Sequence, residues 1–257
     1  VWRHFGLASL AAAAAANVSA LPPSHSPFFP DESYTVDLRA CDTTLDVRVV
    51  HPPEGNVLFA SGATTLQLRM VGLSGYEARV IDNDEPGEPV PIPVEATTPN
   101  DVEQDAVCAD LNGDGRVDFV VSLWLHGNGL GADFYRRLIA LSAPGGYRFW
   151  VAPTMLPSRE DFVTFGSIAR IVMLTTGFVQ SGSSDAPGPN RRHSYYAYDL
   201  WRFEGGDIVG ANAIDERFPK FVLMTSAPNH KPSVRMAAPR PEIAGERPVL
   251  VGPTEAR

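Results

Sequence analysis

Cysteine and lysine each occur only twice in this chain of 257 residues. Cys41 and Cys108 are too few for a cysteine-cage zinc site or a dense disulfide scaffold. Lys220 and Lys231 make no polybasic stretch that would hold anionic lipid. Basic residues number 21 against 30 acidic ones, a formal net charge of −9. That balance excludes a general nucleic-acid binder, which needs a basic face to displace phosphate counterions. His51, His126, His193 and His230 are scattered, with no paired spacing for zinc. After the first twenty residues no run is apolar over the ~20 residues a membrane-spanning helix requires.

What is present is a core-forming composition, 44% hydrophobic and 20% charged. It carries 22 glycines and 23 prolines, well above the usual combined share of about 12%, so the chain is turn-rich. Residues 1–20 read as an export signal. Arg3 and His4 open it, an apolar and small run from Phe5 to Ala16 follows, and Val18-Ser19-Ala20 offers a cleavage site. The expectation is a secreted or periplasmic protein beginning near Leu21, without a membrane span. In an oxidising compartment Cys41 and Cys108 are expected to pair.

Residues 21–33 hold four prolines and read as an extended lead-in. Short alternating or β-branched runs then recur at 34–39, 45–50, 57–60, 64–71, 76–81, 117–125, 137–141, 147–151, 162–165, 168–179, 195–203 and 218–225. Residues 82–93 read as an acidic solvated loop. Residues 131–141 also fit one helical face, through Phe134, Leu138 and Leu141. Residues 226–257, rich in proline and without aromatics, read as a disordered tail. The expected fold is all-β over residues 34–225, as one domain with at most a short helix. Its form is an antiparallel sandwich or an irregular, incomplete propeller-like domain. Asp118-Phe119-Val120-Val121 and Asp161-Phe162-Val163-Thr164 stand 43 residues apart, but no third copy supports a regular propeller.

The strongest chemical signal is Asp110-Leu111-Asn112-Gly113-Asp114-Gly115-Arg116-Val117-Asp118. A hard Ca2+ wants about six to eight oxygens, and loop positions 1, 3, 5 and 9 bring side chains to one centre. Asp110, Asn112, Asp114 and Asp118 occupy those positions, the last directly or through water. Arg116, at position 7, contributes its main-chain carbonyl, and Gly115 sits where the chain must turn sharply. Position 12 is Val121, so the loop is not an EF-hand. A metal-free acidic hairpin is the competing reading, but a turn alone requires neither Asp110 nor Asp118.

A strand leading into this loop and a β-branched strand leaving it, over residues 107–121, resemble the FG-GAP/VCBS-type calcium loops of extracellular β-propeller and adhesion proteins. The resemblance covers under a fifth of the chain, in a single copy. It implies a structural Ca2+ held by Asp110, Asn112, Asp114, Arg116 and Asp118, and a role in binding or surface assembly.

Other constellations are weaker. Gly127-Asn128-Gly129-Leu130-Gly131-Ala132 matches a relaxed dinucleotide fingerprint, but no acid stands at the tip of the following strand. His126-Gly127-Asn128-Gly129 looks like an esterase oxyanion loop, which makes a secreted serine hydrolase the first alternative, with Ser74 or Ser184 as nucleophile. Neither serine stands in a complete G-x-S-x-G elbow. Tyr196, Tyr198 and Trp201, after Arg191-Arg192-His193, admit a carbohydrate-binding face or plain core packing. With no complete catalytic set, the reading leans to a non-catalytic domain with a protein or glycan ligand.

Overall fold

Alternation builds this molecule. Along Thr64–Val71, Leu66, Leu68 and Met70 are buried while the residues between them are half-buried or exposed, the period of a strand with one face on a core. The computed structural model describes residues 33–36, 38–48, 54–71, 75–93, 102, 106–125, 134–155, 157–165, 168–180, 182–183, 194–214, 221–223 and 247–252. Among these residues every regular element is a strand, apart from one 3-10 turn at Arg159–Asp161. No helix among them is long and apolar enough to cross a membrane.

The strands form three antiparallel sheets, each built on a meander in chain order. The first meander is β2 (Asp42–Arg48), β3 (Glu54–Ser61), β4 (Thr64–Val71) and β5 (Gly75–Asp82). The second is β8 (Val107–Ala109), β9 (Asp118–Trp124), β10 (Phe134–Ala143) and β11 (Gly146–Met155). The third is β12 (Phe162–Phe165), β13 (Ile168–Val179), β14 (Tyr195–Glu204) and β15 (Asp207–Gly210). Strands from elsewhere complete the sheets. β1 (Ser33–Thr35) pairs with β12, β16 (Phe221–Leu223) with β14, and β17 (Val249–Val251) with β11. β6 (Glu85–Pro86) and β7 (Val90–Ile92) both return to β5. Among the described residues no sheet closes into a barrel.

The second sheet is the middle layer. One core cluster joins Phe59, Leu66 and Leu68 of the first sheet to Phe119, Val121, Leu138 and Ala140 of the second. Another joins Val120, Ile139 and Leu141, on the opposite face of the same strands, to Met173, Trp201 and Phe203 of the third. Burial on both faces is why Phe119-Val120-Val121 and Leu138–Leu141 are continuous apolar runs with no polar alternation. The disulfide Cys41–Cys108, with Cα atoms 5.2 Å apart, ties the entry of the first sheet to the edge of the second. By the chain-entropy model a closed loop of this length contributes roughly 4 kcal/mol.

Four expectations need correction or refinement. Residues 82–93 are not simply a solvated loop: Asn83 and Asp84 adopt left-handed φ of 50° and 66°, a tight hairpin return, and Val90 and Ile92 are buried against β5. Residues 134–143 are strand, since two-sided burial satisfies the apolar spacing that also fits a helix. The tetrapeptides 43 residues apart occupy unlike positions, the second strand of one meander and the first of the next. Within the segment expected to be disordered, Val249–Val251 form β17. The leader at 1–20 and all of the lead-in at 21–33 except Ser33, which opens β1, lie outside the described residues.

Candidate functional site

The loop at 110–118 connects β8 to β9, so its two ends are held by sheet pairing of Ala109 with Asp118. Inside that frame acidic and amide side chains capture the main chain of the turn. Asp110 Oδ1 accepts the N–H groups of Gly113 (2.7 Å) and Asp114 (3.0 Å), and its Oδ2 accepts that of Gly115 (2.8 Å). Asn112 Oδ1 accepts the Asp114 N–H at 3.0 Å, and Asp114 Oδ1 accepts that of Arg116 at 2.8 Å. Asp110 and Asn112 thus aim oxygens at one shared donor. Gly113 and Gly115 have φ of 80° and 84°, a region costly for any side chain.

Asp118 does something different. It is fully buried. Its Oδ2 accepts the Leu111 N–H at 2.7 Å and the Asn112 N–H at 3.3 Å. Its Oδ1 accepts the Ser142 N–H and contacts the Ser142 hydroxyl, both at 2.7 Å. A carboxylate offers about four lone-pair sites, and these four contacts occupy them. Asp118 therefore braces the loop, with both of its oxygens engaged by the fold's own donors. Burial pushes its carboxyl above the usual range, and the hydrogen bonds from Ser142, Leu111 and Asn112 pull it back.

Ser142, on β10, carried no sequence signal yet sits at the centre. Its Oγ lies 2.9 Å from Asp114 Oδ2 and 2.7 Å from Asp118 Oδ1. A hydroxyl has one proton. When Asp118 takes it, Asp114 Oδ2 is left as a carboxylate oxygen short of a donor, on an exposed residue beside Asp110 and Asn112.

The loop also meets the other two sheets. Asn112 Nδ2 donates to the Ser142 carbonyl at 2.8 Å and to that of Gly205, in the β14–β15 turn, at 3.0 Å. Arg116 Nη1 donates to the carbonyls of Ala143 (3.1 Å) and Gly146 (3.3 Å), and Nη2 lies 3.6 Å from Asp82 at the end of β5. Its guanidinium stands 4.8 Å from the Tyr147 ring centroid. Tyr147 donates to the Val117 carbonyl at 2.9 Å, and burial pushes its hydroxyl up to about 12. The side chain of Arg116 thus matters beyond its carbonyl, because it fastens the loop to two neighbouring turns.

Three of the four expected side-chain ligands, Asp110, Asn112 and Asp114, are therefore drawn into one turn, and the fourth, Asp118, hydrogen-bonds to its base. Among the described residues no group of three or more His, Cys, Asp and Glu side chains is placed to hold a metal ion. That agrees with a set reduced to two carboxylates and an amide. A hard cation fits such a set only with main-chain carbonyl and water oxygens making up the rest.

The alternative sites divide. Ser74, Ser184, His126 and the stretch 127–132 lie outside the described residues, as do Arg191, Arg192 and His193. Trp201 is 2% exposed and donates Nε1 to Thr175 Oγ1 at 2.7 Å, so it belongs to the core. Tyr198 packs against the cluster of Val163, Val172 and Leu174, and burial pushes its hydroxyl up to about 12. Tyr196 is half-buried. No protein-family model, curated protein or solved structure matches this chain.

Proposed function

We propose that this protein is an exported, non-catalytic β-domain that acts in binding or surface assembly, with the loop at 110–118 as a calcium-stabilised turn of the FG-GAP/VCBS type. Asp110, Asn112 and Asp114 would hold the ion with the carbonyl of Arg116, and Asp118 would brace the turn and join the ion directly or through water. The observation that carries this reading is the convergence of Asp110 and Asn112 oxygens on the Asp114 N–H, beside an Asp114 oxygen that competes with Asp118 for the single Ser142 hydroxyl proton. A bound Ca2+ supplies positive charge to that group of oxygens. The export reading draws support from the Cys41–Cys108 bridge, since such bonds persist in oxidising compartments. The ligand is an unidentified protein or glycan.

Ca2+ is expected to stabilise modestly, because the turn already satisfies its own main chain. Extracellular sites of this kind bind at about 10⁻⁴–10⁻³ M. At tenfold excess over the dissociation constant, linkage gives roughly 1.4 kcal/mol, a shift of a few degrees in thermal midpoint. Asp114→Ala should remain folded and lose the shift, and Mg2+ should substitute poorly because it keeps its own waters. Melts in chelator and in millimolar Ca2+ decide the matter. Coincident midpoints, with no ion retained in native mass spectrometry, would reduce the loop to a self-satisfied acidic turn.

A further inference from the structure

The first sheet buries one face against the middle layer and turns the other outward. On that outward face three adjacent strands carry a ladder of polar side chains. Gln67 Nε2 on β4 donates to Asn56 Oδ1 on β3 at 3.0 Å, and Arg79 Nε on β5 donates to Gln67 Oε1 at 2.6 Å. Beside it Arg69 pairs with Glu77 across the same two strands. Gln67, Arg69, Glu77, Arg79 and Pro89 line a shallow depression of about 100 Å³.

The ladder commits Arg79 Nε and so fixes the plane of its guanidinium. Both terminal nitrogens remain, and Arg79 has no further partner among the described residues. A planar fork with two donors in fixed geometry matches an anion bidentately, and the rotamer freedom a ligand would otherwise cost is already lost. The local balance is two guanidiniums against one carboxylate, on a chain of net charge −9. Glu77 beside the fork disfavours a doubly charged group more than a singly charged one. The depression is well below the roughly 300–1,000 Å³ of a pocket that encloses a whole ligand, so one group enters and the remainder lies over the sheet. The geometry points to a carboxylate-binding subsite on this face, with Arg79 as the anchor and Gln67 as the residue that positions it. The carboxylate is that of a free small acid or of a uronic-acid unit in a polysaccharide.

The subsite does not depend on the acidic loop, and a titration in chelator keeps the two readings apart. In ¹⁵N-labelled protein the Arg79 Nε–Hε resonance is followed against sodium acetate and an oligogalacturonate, with sodium chloride and sodium sulfate at matched ionic strength as controls. Both carboxylates should move it saturably and the two controls less. If the source is a polyuronate, the oligomer should half-saturate at a concentration at least about tenfold lower than acetate, because neighbouring units raise the effective concentration. Equal half-saturation assigns a free small acid. Arg79→Gln, followed through the main-chain amide resonances of Gln67 and Glu77 because it lacks the Arg79 reporter, should abolish binding. Gln67→Leu should leave the thermal midpoint near wild type and weaken binding severalfold, which keeps the test decisive if Arg79→Gln does not fold. Asp114→Ala should titrate as wild type. Absence of saturable movement with either carboxylate, an equal response to chloride, or undiminished binding by a folded Arg79→Gln overturns the proposal.

Discussion

Asp118 and Asp161 open nearly identical tetrapeptides and are both buried, yet the fold answers their charges in different ways. Asp118 is held by neutral donors alone: three main-chain N–H groups and one hydroxyl. Asp161 sits in the 3-10 turn, where its Oδ2 accepts the Ser158 N–H at 2.9 Å and pairs with Arg137 of β10. Arg137 is 2% exposed, and it also donates to the carbonyls of Leu174 (2.9 Å) and Ser158 (3.0 Å). It therefore pins the middle sheet to β13 of the third sheet. Burial raises both carboxyls; at Asp161 the Arg137 guanidinium opposes it, at Asp118 only hydrogen bonds do. A local turn can stabilise a buried carboxylate with its own amides. A junction between layers has few spare N–H groups, since the strands have used theirs, and it requires a cation.

Removing that cation should have the largest effect. Arg137→Met leaves Asp161 buried without its counter-charge, a loss of about 3–5 kcal/mol by urea unfolding. The pH dependence should then change shape. With the Asp161 carboxyl raised by burial above the usual carboxylate range, the folded state holds more protons than the unfolded chain from pH about 4 up to the folded pKa. Stability therefore falls as pH rises through that interval. Without the guanidinium the carboxyl rises further, so Arg137→Met should recover stability on acidification toward pH 4 over a wider interval than wild type. An unchanged pH profile would show that the pair is not what holds Asp161.

Asp118→Asn should cost less, about 1–3 kcal/mol, because an amide NH2 placed against N–H donors leaves polar groups unsatisfied but introduces no charge. Hydrogen exchange should speed at Leu111 and Asn112, with the Arg137 junction unaffected. Equal losses from the two variants would erase the distinction between turn and junction. Truncation before Val249 should have the smallest effect, on the order of a degree or two in thermal midpoint. β17 is three residues long, and Val249 and Leu250 remain 59% and 46% exposed, so little apolar area is lost. A fall of ten degrees would make the far edge of the middle sheet as critical as its polar junctions.

The loop at 110–118 was legible because most of its chemistry is local: every N–H that Asp110, Asn112 or Asp114 captures lies within five residues of its acceptor. Ser142 was not, since it reaches Asp118 across 24 residues and a serine in a strand carries no pattern of its own. The doubled arginine at 136–137, a charge inside an apolar strand, was the visible trace of the junction with Asp161. Nothing near it indicated which acid would answer it. Trp201 and Tyr198 show the same limit, since aromatics on a strand read alike until the neighbouring sheet decides which is covered.

By itself the sequence determined the all-β class, most of the strands and the pairing of its only two cysteines, because period-two alternation, glycine at left-handed positions and composition act over a few residues or over the whole chain. The tertiary structure alone decided that the second meander lies between the other two, that Asp118 takes hydrogen bonds from Ser142 of β10 as well as from its own loop, and that Arg137 joins two layers. Those outcomes depend on which residues meet across tens of positions. A buried polar group takes its role from whatever partner the packing of distant strands brings within hydrogen-bond reach.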